Sequence, residues 1–216
     1  MTNSLSTWLG CDDIYMYRHD KLVYLRNFKC ASTFYTSLFE RNHWTRQTVL
    51  DIDWDHDHVF SFIMDPMERR LKGLAQFIWQ EKSLQSLLEN PEFWYRTSFL
   101  DYHSMPYTLT YRNFCDRIDW IPIDHPEFKS EDLVKIMLDD KNISLDWSTV
   151  KSNKSLDDKL EIYNKIKKFD SNWEVYHIFE EDQILYDKVC CSIQFHEKKW
   201  NDISWLKNFQ KSNQDK

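Results

Sequence analysis

Lys29, Ser32 and Thr33 stand close together in KCASTF at 29–34, one cation and two hydroxyls. They follow the apolar run Leu22, Val23, Tyr24, Leu25 and precede Phe34, Tyr35, Leu38 and Phe39, which recur at helical spacing. A strand that feeds a helix start presents unpaired backbone N–H groups and the positive end of the helix dipole at the turn. The chemistry this predicts is anion binding. A second charged set, Asp65, Arg69, Arg70 and Lys72, follows the next strongly apolar run at 59–64. His103 and the acidic, histidine-rich DIDWDHDH at 51–58 supply groups able to take a proton.

Two strand–loop–helix units must position these side chains, one over 21–39 and one over 59–78. The near-continuous apolar runs predict strands buried on both faces, as in a parallel sheet. Such a sheet holds ligands at its strand C-termini, so both loops face one crevice. Asp65 and Pro66 break the second strand, and Pro66 falls near the first helical turn, where its missing N–H is harmless. Leu71, Leu74, Phe77 and Ile78 form that helix's buried stripe. The spacing further predicts a strand at 45–52 and helices at 83–98, with Pro91 starting the second of them. Next come a loop at 101–110 and a strand at 118–123, demoted toward an edge by Pro122. Helices follow near 131–138, around Leu156, Leu160 and Tyr163, and over 172–189. Residues 1–20 read as an N-terminal arm, 151–158 as a turn and 211–216 as a frayed tail.

The expected fold is therefore α/β: one domain over 1–216, a three-layer sandwich whose central, mainly parallel sheet is flanked by helices. With 216 residues, 42% of them hydrophobic and 16% aromatic, the chain can bury one sizeable core. A net charge of −7 argues against nucleic-acid and anionic-membrane partners, which are held by clustered Lys and Arg. Any anion site must be local. The absence of a signal-like start or a long apolar run leads us to expect a soluble, cytoplasmic protein. Cys11, Cys30, Cys115, Cys190 and Cys191 lack C-x-x-C spacing and are expected as free thiols. With Gly10 and Gly73 the only glycines, neither G-x-G-x-x-G nor a Walker loop can be written.

K-C-A-S-T-F at 29–34 resembles the 5′-phosphosulfate loop of carbohydrate sulfotransferases of the heparan sulfate 2-O- and chondroitin 4-O-sulfotransferase type. FIMDPMERRLK at 62–72 is similar to their 3′-phosphate motif, R-D-P-x-x-R-x-x-S, through Asp65, Pro66 and Arg69. Fainter echoes follow in the family's order: DYHSMP at 101–106, Asn153 with Ser155, and FEEDQILY at 179–186. The resemblance implies a sulfotransferase architecture related to P-loop NTPases. It also implies sulfuryl transfer from 3′-phosphoadenosine 5′-phosphosulfate to a hydroxyl acceptor, leaving 3′-phosphoadenosine 5′-phosphate, with no metal. The implied donor contacts are Lys29, Cys30, Ala31, Ser32, Thr33, Phe34, Asp65, Arg69 and Lys72. Lys29 is the implied stabiliser of the transferring charge. Met64 stands where the family has its leading Arg, and Lys72 where it has its closing Ser. Lys72, about two turns beyond Asp65, is the candidate to replace the missing charge.

For the general base the sequence offers two regions, the stretch holding Asp53, Asp55, His56, Asp57 and His58, and the loop holding His103. His58 opens its strand, about 20 Å from the C-terminal edge if the strands are parallel, which favours His103. The acidic stretch is no EF-hand from Asp53, since His58 and Met64 stand where Gly and Glu are required, and a solvated turn is expected. Two other functions stay open. One is a non-catalytic binding or structural protein on the same fold; the other is an enzyme using a different phosphorylated donor.

Overall fold

The computed structural model describes residues 15–81, 89–90, 103–111, 114–148, 157–169 and 176–197. The frayed tail, Cys11, Asn153, Ser155 and nearly all of the helices expected at 83–98 lie outside the described residues. The strands are β1 (Tyr15–His19), β2 (Leu22–Leu25), β3 (Thr45–Thr48), β4 (His58–Ile63) and β5 (Asp119–Pro122). The helices are α1 (Ser32–Arg41), α2 (Pro66–Gln80), the single turn α3 (Tyr107–Thr110), α4 (Ser130–Asp140), α5 (Asp157–Phe169) and α6 (Tyr176–Glu197).

The strands form one sheet in the order β3-β1-β2-β4-β5. β2, β4 and β5 are parallel neighbours, whereas β1 runs antiparallel to both β2 and β3. The sheet is thus mixed rather than mainly parallel. The cause lies in Tyr15–His19, expected as part of an arm and found inside the sheet. Asp20, at φ 55, turns the chain back into β2, and Met16 and Tyr17 are buried on opposite faces.

Strand alternation then sorts the core into layers. Tyr17, Tyr24, Phe60, Phe62 and Ile121 meet Tyr35, Leu38 and Phe39 of α1 and Val134, Met137 and Leu138 of α4. Tyr24 packs its ring within 6.5 Å of Tyr35, Phe39, Phe60 and Phe62, and Tyr35 stacks on Phe62 at 3.7 Å. Met16, Val23, Leu25, Val59 and Ile63 face the other way, toward Tyr107 of α3, Tyr111 at its C-terminal end, and Leu185, Tyr186 and Val189 of α6. A separate apolar cluster joins Leu71, Leu74, Ala75 and Ile78 of α2 to Ile162 and Ile166 of α5. Helices therefore flank both faces of the sheet, and α5 lies on α2. Among the described residues no helix is long and apolar enough to cross a membrane. The four described cysteines, Cys30, Cys115, Cys190 and Cys191, are free thiols.

Candidate anion site at the sheet's C-terminal edge

β2 ends at Leu25, and the chain enters α1 through a loop in which Lys29 (φ 64) and Ala31 (φ 54) are left-handed without being glycine. Each such residue costs on the order of 1 kcal/mol, so the surroundings must hold the loop in place. They do so through side chains from both strand–loop–helix units. Asn27 Nδ2 donates to Phe62 O at 2.8 Å and to Cys30 Sγ at 3.5 Å. Arg69 Nε donates to Phe28 O at 3.0 Å, and Arg69 Nη1 donates to Met105 O. The guanidinium also faces the Tyr107 ring at 5.4 Å.

The N-cap of α1 is Ala31, which has no side chain to cap with, and the first helical bond runs from Tyr35 N to Ala31 O at 3.1 Å. The N–H groups of Ser32, Thr33 and Phe34 thus lie outside the helical ladder. Ser32 is buried, Thr33 is exposed, and Phe34 packs edge-on against Tyr35. Burial pushes the Cys30 thiol up to about 12, so this residue remains a neutral thiol and fills space in the loop.

The second unit is arranged differently. Asp65 caps α2, accepting from Glu68 N at 2.8 Å, and its own N–H donates to Asp124 Oδ2 at 2.9 Å. Asp124 Oδ1 accepts from the Tyr186 hydroxyl at 3.0 Å, which brings α6 to the same sheet edge. Met64 is buried. Arg69 and Arg70, which as isolated helix charges read as solvated, are 1% and 0% exposed. Lys72 lies 3.4 Å from Glu68 Oε1, and Glu68 also accepts from the Tyr163 hydroxyl at 2.6 Å and sits 3.5 Å from Lys167. Burial alone would raise the Glu68 carboxyl, but that hydroxyl and the two ammonium groups outweigh it and lower its pKa.

Several of the residues singled out in the sequence meet here. Lys29 Nζ donates to Gln76 Oε1 at 3.0 Å, so its ammonium lies along α2. His103 packs edge-on against Phe28 at 4.8 Å, one residue from Lys29. Gly73 makes this possible: a Cβ there would stand 2.6 Å from Ser104 Cα and closer still to the His103 carbonyl. The other base candidates lie elsewhere. His58 is in register with Leu22 at the opposite end of the sheet, and its Nε2 pairs with Asp119 at 2.9 Å. Asp57 forms a two-toothed ion pair with Arg18, Asp53 pairs with His56, and Asp55 pairs with Arg117, all in the turn before β4.

Asp182 of α6 was not singled out, although the apolar spacing of Phe179 and Tyr186 puts it on their face. It is buried, and its carboxyl accepts from Tyr107 N and Thr108 N, both at 2.9 Å, and from the Thr108 hydroxyl. Burial raises its pKa more than these donors and Arg69 lower it. A carboxyl with a raised folded pKa contributes stability that is fully present below the unfolded carboxyl pKa and falls as pH rises through the folded value. Asp182→Asn is expected to remove that part of the slope. Asp182→Ala should cost about 3 kcal/mol at neutral pH, because three donors lose their acceptor. Urea titrations at several pH values read both; an unchanged slope in Asp182→Asn would assign the pH dependence to other groups.

Comparison with known proteins brings no relative to this geometry: no family model, no curated protein and no solved structure matches the chain.

Proposed function

We propose that the protein is a sulfotransferase of the carbohydrate-sulfotransferase type. It transfers the sulfuryl group of 3′-phosphoadenosine 5′-phosphosulfate to a hydroxyl acceptor, with a carbohydrate as the acceptor class. The observation that carries this reading is the pairing of two motif-bearing loops. The phosphosulfate-like loop and the D-P-x-x-R motif leave the C-terminal ends of parallel neighbours β2 and β4, and His103 packs beside the first of them.

On this reading the open N–H groups of α1, with Ser32 and Thr33, hold the 5′-phosphate. The acceptor oxygen attacks sulfur in line and gives up its proton to His103. The bond from sulfur to the bridging oxygen breaks, and its electron pair leaves with the nucleotide 5′-phosphate. Lys29 stabilises the charge that grows on that oxygen, so positioning and electrostatics provide the rate. Calorimetry with 3′-phosphoadenosine 5′-phosphate tests the donor directly, and no heat of binding at millimolar nucleotide would rule it out. Lys29→Ala should lower transfer by roughly 10²–10³-fold and His103→Ala by roughly 10²-fold or more, each read as sulfate moved from labelled donor.

A second reading is favoured by one set of contacts. Met64 is buried, Lys72 faces Glu68, and Arg69 is bonded to two backbone carbonyls, so the motif that serves the donor's 3′-phosphate in the family is engaged within the fold. A non-catalytic nucleotide binder, or an enzyme using a donor without that phosphate, would bind adenosine 5′-phosphosulfate as well as the 3′-phosphorylated donor. The sulfotransferase reading requires a clear preference for the latter.

A further inference from the structure

α3 is a single turn, too short to be stable by itself, and its N-cap is Pro106, which has no side-chain acceptor to offer. The partner for its first N–H groups comes from 75 residues farther along the chain. Asp182 of α6 accepts from Tyr107 N at Oδ2 and from Thr108 N at Oδ1, both at 2.9 Å, and Oδ1 also accepts from the Thr108 hydroxyl. One carboxylate thus grips two consecutive N–H groups with its two oxygens, which fixes the orientation of the turn as well as its position. The Tyr107 hydroxyl adds a second tie, lying 3.2 Å from Asp182 O and 3.3 Å from Met64 O.

The stretch that leads into this turn carries His103. Met105 O is held by Arg69 Nη1, while Arg69 Nε holds Phe28 O at 3.0 Å. The backbone of His103 and Ser104 packs close over Gly73, and the His103 ring meets Phe28 at 4.8 Å. Residues 103–108 are therefore fastened along their length by α2 and at their far end by α6. A single bond to the Met105 carbonyl allows rotation about it, and the three-donor grip at the far end removes that rotation. α6 has another polar tie at the same sheet edge, from the Tyr186 hydroxyl to Asp124, and that one does not touch this stretch.

We infer that Asp182 is a positioning residue for His103: by gripping the first turn of α3, the carboxylate of α6 sets where the imidazole stands beside the β2–α1 loop. This rests on the reading of His103 as the proton acceptor and deepens it, since α6 then takes part in the site without contacting substrate. Misplacing a reacting group by about 1 Å can cost on the order of 100-fold in rate. Asparagine cannot reproduce the grip, because its amide nitrogen would face one of the N–H donors.

Nuclear magnetic resonance on the full chain tests this. The imidazole protons of His103, assigned against His103→Gln, are shifted by the Phe28 ring current, and amide exchange reports the grip at Tyr107 and Thr108. In Asp182→Asn both amides should exchange roughly tenfold faster or more, and the His103 signals should move toward those of an unstructured peptide. Sulfate transfer should lose roughly 10- to 100-fold in kcat while the KM for the donor stays within about twofold, the pattern of a misplaced proton acceptor. Thr108→Val removes only the hydroxyl bond, should move the same signals less far, and carries the test if Asp182→Asn does not fold. Tyr186→Phe is the control: it cuts the tie to Asp124 and should lower the melting temperature with the His103 signals in place. Unmoved His103 signals in Asp182→Asn, or in Thr108→Val where the former does not fold, would reduce Asp182 to a structural contact and overturn the inference. Signals displaced as far by Tyr186→Phe as by Asp182→Asn would overturn it too. If the unaltered chain moves no sulfate, the proposed function falls, and the His103 signals alone decide whether Asp182 positions the ring.

Discussion

Arg69→Ala is expected to lower the stability of the protein by about 3–5 kcal/mol, the range for removing one partner of a buried charged arrangement. The guanidinium is 1% exposed and clamps two backbone segments, bonding Phe28 O in the loop after β2 and Met105 O in the segment before α3. Truncation leaves both carbonyls without this donor and opens the space beside Tyr107. Lysine cannot replace it, because a single ammonium lacks the planar fork that reaches both oxygens. Urea unfolding of Arg69→Ala and Arg69→Lys measures the loss. If Arg69→Ala unfolds like the unaltered chain and loses only nucleotide affinity, Arg69 is a ligand contact and its part in the fold is minor. Arg69 thus has a stability readout that the family motif alone does not provide.

Gly73→Ala carries the second large effect, and its sign is the informative part. In an ordinary helix interior this change stabilises by roughly 0.5–1 kcal/mol, since alanine loses less chain entropy than glycine. Here the new methyl would meet the His103 carbonyl and the Ser104 Cα at 2.6 Å, and both obstacles are backbone. Either α2 shifts or the 103–106 segment lifts away, and the expected loss is about 3 kcal/mol, the upper end of overpacking. The same displacement moves His103 off Phe28, so on the proposed sulfotransferase reading sulfate transfer should fall together with the melting temperature. A Gly73→Ala protein that is more stable than the parent would show that the segment yields freely.

The elements that could be read from sequence are those whose signals are local. The runs before 26 and 64 gave strands, Pro66 marked the start of α2, and Pro122 marked a border strand, because each depends on periodicity or on a missing N–H. The parallel register that sets His58 at the start of β4 followed from the same pattern. Tyr15–His19 escaped because a short strand buried on both faces shows no alternation, and Arg18 and His19 made it look like surface. Arg69 and Arg70 escaped for another reason: charge suggests solvent, whereas Arg70 lies four residues before the buried Leu74 and so on the inner face. Nothing local could link Lys29 with Lys159. Their meeting at Gln76 arises only when α5 packs on α2 through Ile162 and Ile166.

The two borders of the sheet also govern how copies of this chain meet in concentrated solution. β3, at one border, is four residues long with none of them buried, and Arg46 lies over the Tyr15 ring at 3.8 Å. At the other border Ile123 N donates inward to Ile63 O, so by strand alternation the missing N–H of Pro122 belongs to the outward side. Among the described residues, a second molecule approaching either border meets a short polar strip or a gap in the donor row. Strand-by-strand growth into fibres is thereby discouraged, even though aromatic residues are plentiful in the chain.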